Sequence, residues 1–165
     1  MTWATAAQTG VVCDDRLSVR RAVTSLLARC GFAVVGEADC FDEMRGLLTR
    51  TAPTVAILTL PIAGRTGLSA ITELSAVAPQ CALVVLSAYG NLELAAREAG
   101  ARALVPEDNP QALQAVLLGL SRQWHASMTA LPAARCYCEP SRDIPAASLV
   151  TCATSSGSSS TNPSS

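Results

Sequence analysis

The run Thr54–Leu60, TVAILTL, limits the folds open to this chain more than any other segment. It is short, apolar and rich in β-branched residues, with Pro53 before it and Pro61 after it, the pattern of a buried strand. Similar runs occur on either side. One ends in the acid pair Asp14 and Asp15 (VVCDD), one at Ser87 (CALVVLS) and one near Glu107 (ARALVPED). Each apolar run therefore ends in a polar or charged group.

Between these runs the pattern changes to a helical one. Arg16 to Cys30 places Val19, Ala22, Val23, Leu26, Leu27 and Cys30 on one stripe, and Gly31 stops it. A second strand, FAVVGEA, precedes a helix from Cys40 to Thr51, with Asp39 expected as its N-cap and Phe41, Met44, Leu47 and Leu48 on one face. Further helices are expected from Leu68 to Val77, which Pro79 closes off, from Asn91 to Ala99, closed by Gly100, and from the Asn109-Pro110 start signal to about Arg122 or a little beyond.

Strands that alternate with helices need crossover connections and so pair in parallel. The expected fold class is α/β: a doubly wound, five-stranded parallel sheet of flavodoxin-like order 2-1-3-4-5, with helices on both faces. In such sheets ligands bind beyond the carboxyl ends of the strands, where strand order reverses. That point lies between the first and third strands. Asp14, Asp15 and Thr59 would share a pocket there, with Ser87 and Glu107 on its rim.

Composition excludes several functions. Half of the 165 residues are hydrophobic and the net charge is −1, without the basic surplus of a nucleic-acid-binding chain. No apolar run is long enough to span a bilayer, and the N-terminus MTWATAAQTG does not have the form of a signal peptide, so a cytoplasmic location is expected. All 12 basic residues are Arg, which leaves no lysine for a phosphate or a Schiff base and suggests the coding bias of a high-GC bacterium. Cys13, Cys30, Cys40 and Cys81 lie in or beside apolar segments and are read as small buried hydrophobes, not disulfide partners. The expected organisation is an extension over 1–9, one domain over 10–122, and a low-complexity tail over 123–165, read as disordered.

In this order the strand-end residues resemble those of the receiver domain of bacterial response regulators. Asp14 and Asp15 match the family's acid pair, which helps hold a magnesium ion. Thr59 falls on the aspartate that accepts the phosphoryl group, because TLPIAGRTGL keeps that aspartate's spacing to the next helix. Ser87 in VLSAYG matches the hydroxyl residue that bonds the phosphoryl group. AGARALVPED matches the stretch that leads to the family's lysine, but Glu107 stands at the lysine position and Leu104 at that of the switching aromatic. The resemblance thus implies a degenerate receiver. A threonine hydroxyl is a poor nucleophile without a base, and a Lys-to-Glu change puts a repulsive charge where phosphoryl oxygens would sit.

The function expected from this resemblance is phosphorylation-independent signalling within a two-component system, by protein–protein contact and without catalysis. The partner would be a histidine kinase or an output regulator, met on the face of the fourth helix, fifth strand and last helix, where Tyr89, Arg97 and Arg102 lie; a homodimer is a further option. Trp124 is a second candidate contact. No cofactor is required on this reading. Asp14, Asp15 and Glu107 nonetheless offer hard oxygen donors for Mg²⁺ or Ca²⁺, which would make a metal-responsive switch, unless Arg65 or solvent neutralises them. A further alternative is a truncated or decayed transcriptional regulator without its DNA-binding output domain, since no helix-turn-helix segment is legible. Two weaker options are a zinc site from His125, Cys136, Cys138 and Cys152, with an atypical Cys-x-Cys spacing, and modification of Thr59 by a Ser/Thr kinase, which a strand-end position disfavours.

Overall fold

The computed structural model describes residues 7–62 and 67–130. In chain order they form β1 (Thr9–Cys13), α1 (Leu17–Arg29), β2 (Ala33–Ala38), α2 (Phe41–Thr51), β3 (Val55–Leu60), α3 (Leu68–Val77) and β4 (Ala82–Ser87). A single 3₁₀ turn (Gly90–Leu92) then leads into α4 (Glu93–Glu98), followed by β5 (Ala103–Pro106) and α5 (Pro110–Ala130). The strands make one parallel sheet of order β2-β1-β3-β4-β5. The expected fold class and strand order are those observed.

The central strand sets the pattern. Every residue of β3 is buried, as expected of a strand covered on both faces, whose sequence is then a continuous apolar run. Successive side chains alternate between two cores. On one face Val11, Ala56, Leu58, Leu83 and Val85 pack against Phe41, Met44 and Leu48 of α2, Ile71 and Leu74 of α3, and Ala96 of α4. On the other, Val12, Val55, Ile57, Val84 and Val105 pack against Val23 and Leu27 of α1 and Leu113 and Leu117 of α5. The stripes expected on α1 and α2 are the faces that meet the sheet.

Several boundaries differ from the sequence expectation. β1 begins at Thr9, and Gln8 is already buried with its amide donating to the Ser121 carbonyl at 3.3 Å, so the extension over 1–9 is partly built into the domain. Residues 1–6 lie outside the described residues. Asp39 is not the N-cap of α2. Cys40 holds that position without a side-chain bond, while Glu43 reaches back past it to accept the Asp39 N–H at 3.1 Å. The fourth helix is shorter than expected, because Gly90 and Asn91, weak helix formers, sit in the tighter turn. The Asn109-Pro110 signal acts as expected: the Asn109 carboxamide accepts the Ala112 N–H at 2.9 Å. α5, however, runs on to Ala130, so residues 123–130 are helix and not tail. The rest of the expected tail, with Cys136, Cys138 and Cys152, lies outside the described residues.

Gly100 holds α3 and α4 close together. Its φ is +111°, and an added Cβ would stand 2.3 Å from Ser75 Oγ and 2.7 Å from Ser75 Cβ. Both the backbone and the space require glycine. Gly100→Ala is expected to destabilise the fold by about 1–3 kcal/mol, measured by denaturant unfolding. An unchanged midpoint would show that the α3–α4 approach yields without cost.

Candidate functional site: an acidic cleft closed by an arginine

The carboxyl ends of β1, β3, β4 and β5 bring Asp14, Thr59, Ser87 and Glu107 to one edge of the sheet. Asp14 is the first residue beyond β1 and is 3% exposed, and its own N–H donates to the Ala38 carbonyl at 3.1 Å. Its carboxylate is fully engaged. Oδ1 accepts the Arg16 N–H at 2.8 Å and Arg16 Nε at 3.3 Å, Oδ2 accepts Arg16 Nη2 at 3.4 Å, and the Thr59 hydroxyl favours the charged carboxylate. Burial alone would push the Asp14 pKa up. The hydrogen bonds from Thr59 and Arg16, with the guanidinium charge, outweigh burial and hold it below the usual carboxylate value.

Arg16 extends from the start of α1 over the cleft. Besides Asp14, its Nη2 pairs with Glu107 beyond β5, and its Nε lies 3.9 Å from the exposed carboxylate of Asp15. Hydrogen bonds to Asp14 and Glu107 raise the Arg16 pKa, so it is charged at every ordinary pH. Arg20 supports the same loop: Nη1 donates to the Asp14 carbonyl at 2.6 Å, and Nε pairs with Glu37 at 3.3 Å.

Thr59 is buried near the end of β3, opposite Leu86. Ser87 is fully buried, and its hydroxyl accepts the Tyr89 N–H at 3.0 Å, while its carbonyl accepts the Glu107 N–H at 3.2 Å. Leu104 is partly buried against the core under α2, α3 and α4. The residues singled out in the sequence therefore occupy one sheet edge, and Asp14, Asp15 and Glu107 meet around Arg16, to which the sequence pattern assigned only the start of a helix. Arg65, the expected neutraliser, lies in 63–66, outside the described residues. Arg16 could have been noticed, since it directly follows the acid pair, but its reach to Glu107 depends on two loops distant in sequence.

A divalent ion does not fit this cleft with Arg16 in place. Such ions need carboxylate or carbonyl oxygens free to turn towards them. Both Asp14 oxygens and Glu107 Oε1 are already held by the guanidinium, and the third strand offers a hydroxyl where a carboxylate would be needed. Among the described residues a different group, Asp39, Cys40 and Glu43, has ligand atoms within 4.8 Å of one another. Glu43 is occupied there in closing the first turn of α2. Cys13, Cys30, Cys40 and Cys81 are free thiols, and burial foremost pushes the thiols of Cys13 and Cys81 up to about 12.

The sheet order is that of a receiver domain, and comparison with known proteins agrees on the fold. The sequence profile of the response regulator receiver domain matches residues 11–117, and the chain belongs to that family. A Pseudomonas aeruginosa protein named for a proposed role in transcriptional regulation is 33% identical over 97 residues, covering 58% of this chain and 47% of its own length. This chain thus spans about half the length of that relative. Among solved structures, the fold is similar to the RcsB response regulator of Salmonella typhimurium (TM-score 0.65, 20% identity, 71% of this chain and 61% of that one). It is also similar to a response regulator receiver domain protein from Clostridium thermocellum (TM-score 0.63, 20% identity, 73% and 98%), and to a LuxR-family two-component response regulator from Aurantimonas (TM-score 0.59, 24% identity, 73% and 97%).

Two outcomes test the cleft. Thr59→Val keeps the shape but removes a donor from a buried carboxylate, and is expected to cost about 1.5–3 kcal/mol of stability, read from denaturant midpoints. A neutral substitution would mean that the hydroxyl does not hold Asp14. Because folding lowers the Asp14 pKa, its stabilising contribution is complete above the unfolded value of about 4 and is lost as pH falls through the lower folded value. The stability gap between the native chain and Asp14→Asn is therefore expected to be constant near neutrality and to shrink below about pH 4. A gap of equal size at about pH 3 and about pH 7 would contradict this.

Proposed function

We propose that this chain is a receiver module of two-component signalling that acts without phosphorylation, through contact with another protein. One observation carries the reading. The buried Asp14 carboxylate is held by the Arg16 guanidinium, and Thr59 stands near the end of the neighbouring strand; metal-assisted phosphoryl transfer at these two positions needs a free acid and an acceptor carboxylate. Glu107 adds negative charge where phosphoryl oxygens would be neutralised, and Arg16 already pairs with it. A threonine hydroxyl that donates to a carboxylate of lowered pKa is not on the way to becoming a nucleophile, because that carboxylate is a weak base.

The contact surface in this reading is the face of α4, β5 and α5. Tyr89 is 64% exposed and Leu94 71% exposed at its edge, beside the Glu93–Arg97 pair at 2.8 Å and the Arg102–Gln123 bond at 2.9 Å. Exposed apolar side chains framed by charges suit a protein partner, either a histidine kinase or output regulator, or a second copy of the chain. No helix of the described residues is long and apolar enough to cross a membrane, and a cytoplasmic partner is proposed. With a leucine at position 104, movement of an aromatic side chain is not available to link Ser87 to this face.

The test is incubation with acetyl phosphate and Mg²⁺, followed by intact mass spectrometry. No phosphorylated species is expected. A stable single-phosphate adduct would overturn the reading. The greater length and the name of the Pseudomonas relative favour a second reading, in which the module serves transcriptional control. Deleting the gene in its source organism and profiling transcripts decides this: a discrete altered set supports it, and an unchanged profile removes it.

A further inference from the structure

The cleft that the receiver family uses for a divalent ion does not fit one here, and the side chain that prevents the fit is itself a cation. We propose that Arg16 is a resident replacement for that ion, which leaves this chain with a magnesium-independent cleft and a latent divalent site that opens only when Arg16 is removed.

Three observations converge on Arg16. Its backbone N–H and its guanidinium together engage both oxygens of Asp14, so the acid nearest the cleft floor has no oxygen turned towards an external ion. The same guanidinium pairs through Nη2 with Glu107, tying the loop after β1 to the loop after β5 across two intervening strands. Its Nε also stands 3.9 Å from Asp15, whose side chain is 62% exposed and is screened by water. One planar fork thus serves carboxylates from both ends of the edge, a geometry that suits guanidinium and that a compact ammonium would not reproduce. A hard divalent ion would have to displace it, and the loop would lose the Asp14–Glu107 connection in the process.

The consequence concerns occupancy. A soluble ion fills its site according to its concentration, whereas a tethered guanidinium is present in every molecule. The cleft edge is therefore held in one arrangement whatever the magnesium level. This inference is independent of the absence of phosphorylation, since a chain could fail to accept phosphate and still bind magnesium.

The test uses Mn²⁺ as a paramagnetic probe, titrated into the full chain and read by broadening of backbone amide signals. The Asp39–Cys40–Glu43 group adjoins this loop, since the Asp14 N–H bonds the Ala38 carbonyl, so every titration, that of the native cleft included, is carried out in a Glu43→Gln background that removes that group. The native chain is expected to show no selective broadening at Asp14, Asp15 or Glu107. Arg16→Ala is expected to gain saturable broadening at these amides, with an affinity at least tenfold above any in the native chain. Adding Asp14→Asn to Arg16→Ala is expected to abolish it. Should Arg16→Ala fail to fold, Arg16→Gln keeps the side-chain bulk without the charge and is scored in the same way. Selective broadening of the native cleft within tenfold of the variant overturns the proposal. So does a folded Arg16 variant whose cleft remains indifferent to Mn²⁺.

Discussion

The structure depends on β3, a strand buried along its whole length between β1 and β4. A strand in that position must be apolar on both faces, which leaves little room for polar chemistry except at its end. Thr59 sits near that end, where the sheet opens towards solvent, and the crossover connections place the ends of β1, β4 and β5 beside it. The site is thus a product of sheet topology, because parallel strands deliver all their carboxyl ends to one edge.

At that edge electrostatics dominate packing. A buried carboxylate without partners would take up a proton or weaken the fold. Asp14 avoids both by accepting from Arg16, with the Thr59 hydroxyl favouring its charged form, and Arg16 carries the charge balance on to Glu107. In the receiver family these positions suit an external ion and a transferable phosphoryl group. Here they form a network closed within the chain. Thr59 and Glu107 are mutually consistent in this light: the threonine hydroxyl favours the Asp14 charge where a carboxylate would oppose it, and glutamate supplies the far anchor for the guanidinium.

Much of the fold was legible because its determinants are local. Continuous apolar runs mark strands buried on both faces, 3.6-residue stripes mark helices with one buried face, and Asn109-Pro110 marks a helix start by capping chemistry alone. Less was legible at the element ends, where competition decides. Asp39 had the right side chain for an N-cap, but Glu43 reached back to its N–H and Cys40 took the position. The length of α5 was underestimated because residues 123–130 show no strong stripe, although nothing in them breaks a helix.

The sequence alone determined which groups arrive at the sheet edge. Alternating strands and helices dictate a parallel sheet, and each strand's last residues can be read directly, so a threonine near the end of the third strand and the lack of any lysine are properties of the sequence itself. The partners of those groups were decided by tertiary structure alone. Arg16 belongs in sequence to the start of α1, and Glu107 to a loop beyond the last strand. Their meeting depends on two loops converging over the edge and on a long side chain selecting one of several carboxylates within its reach. That selection is a matter of distance and direction in space, which no local pattern of residues encodes.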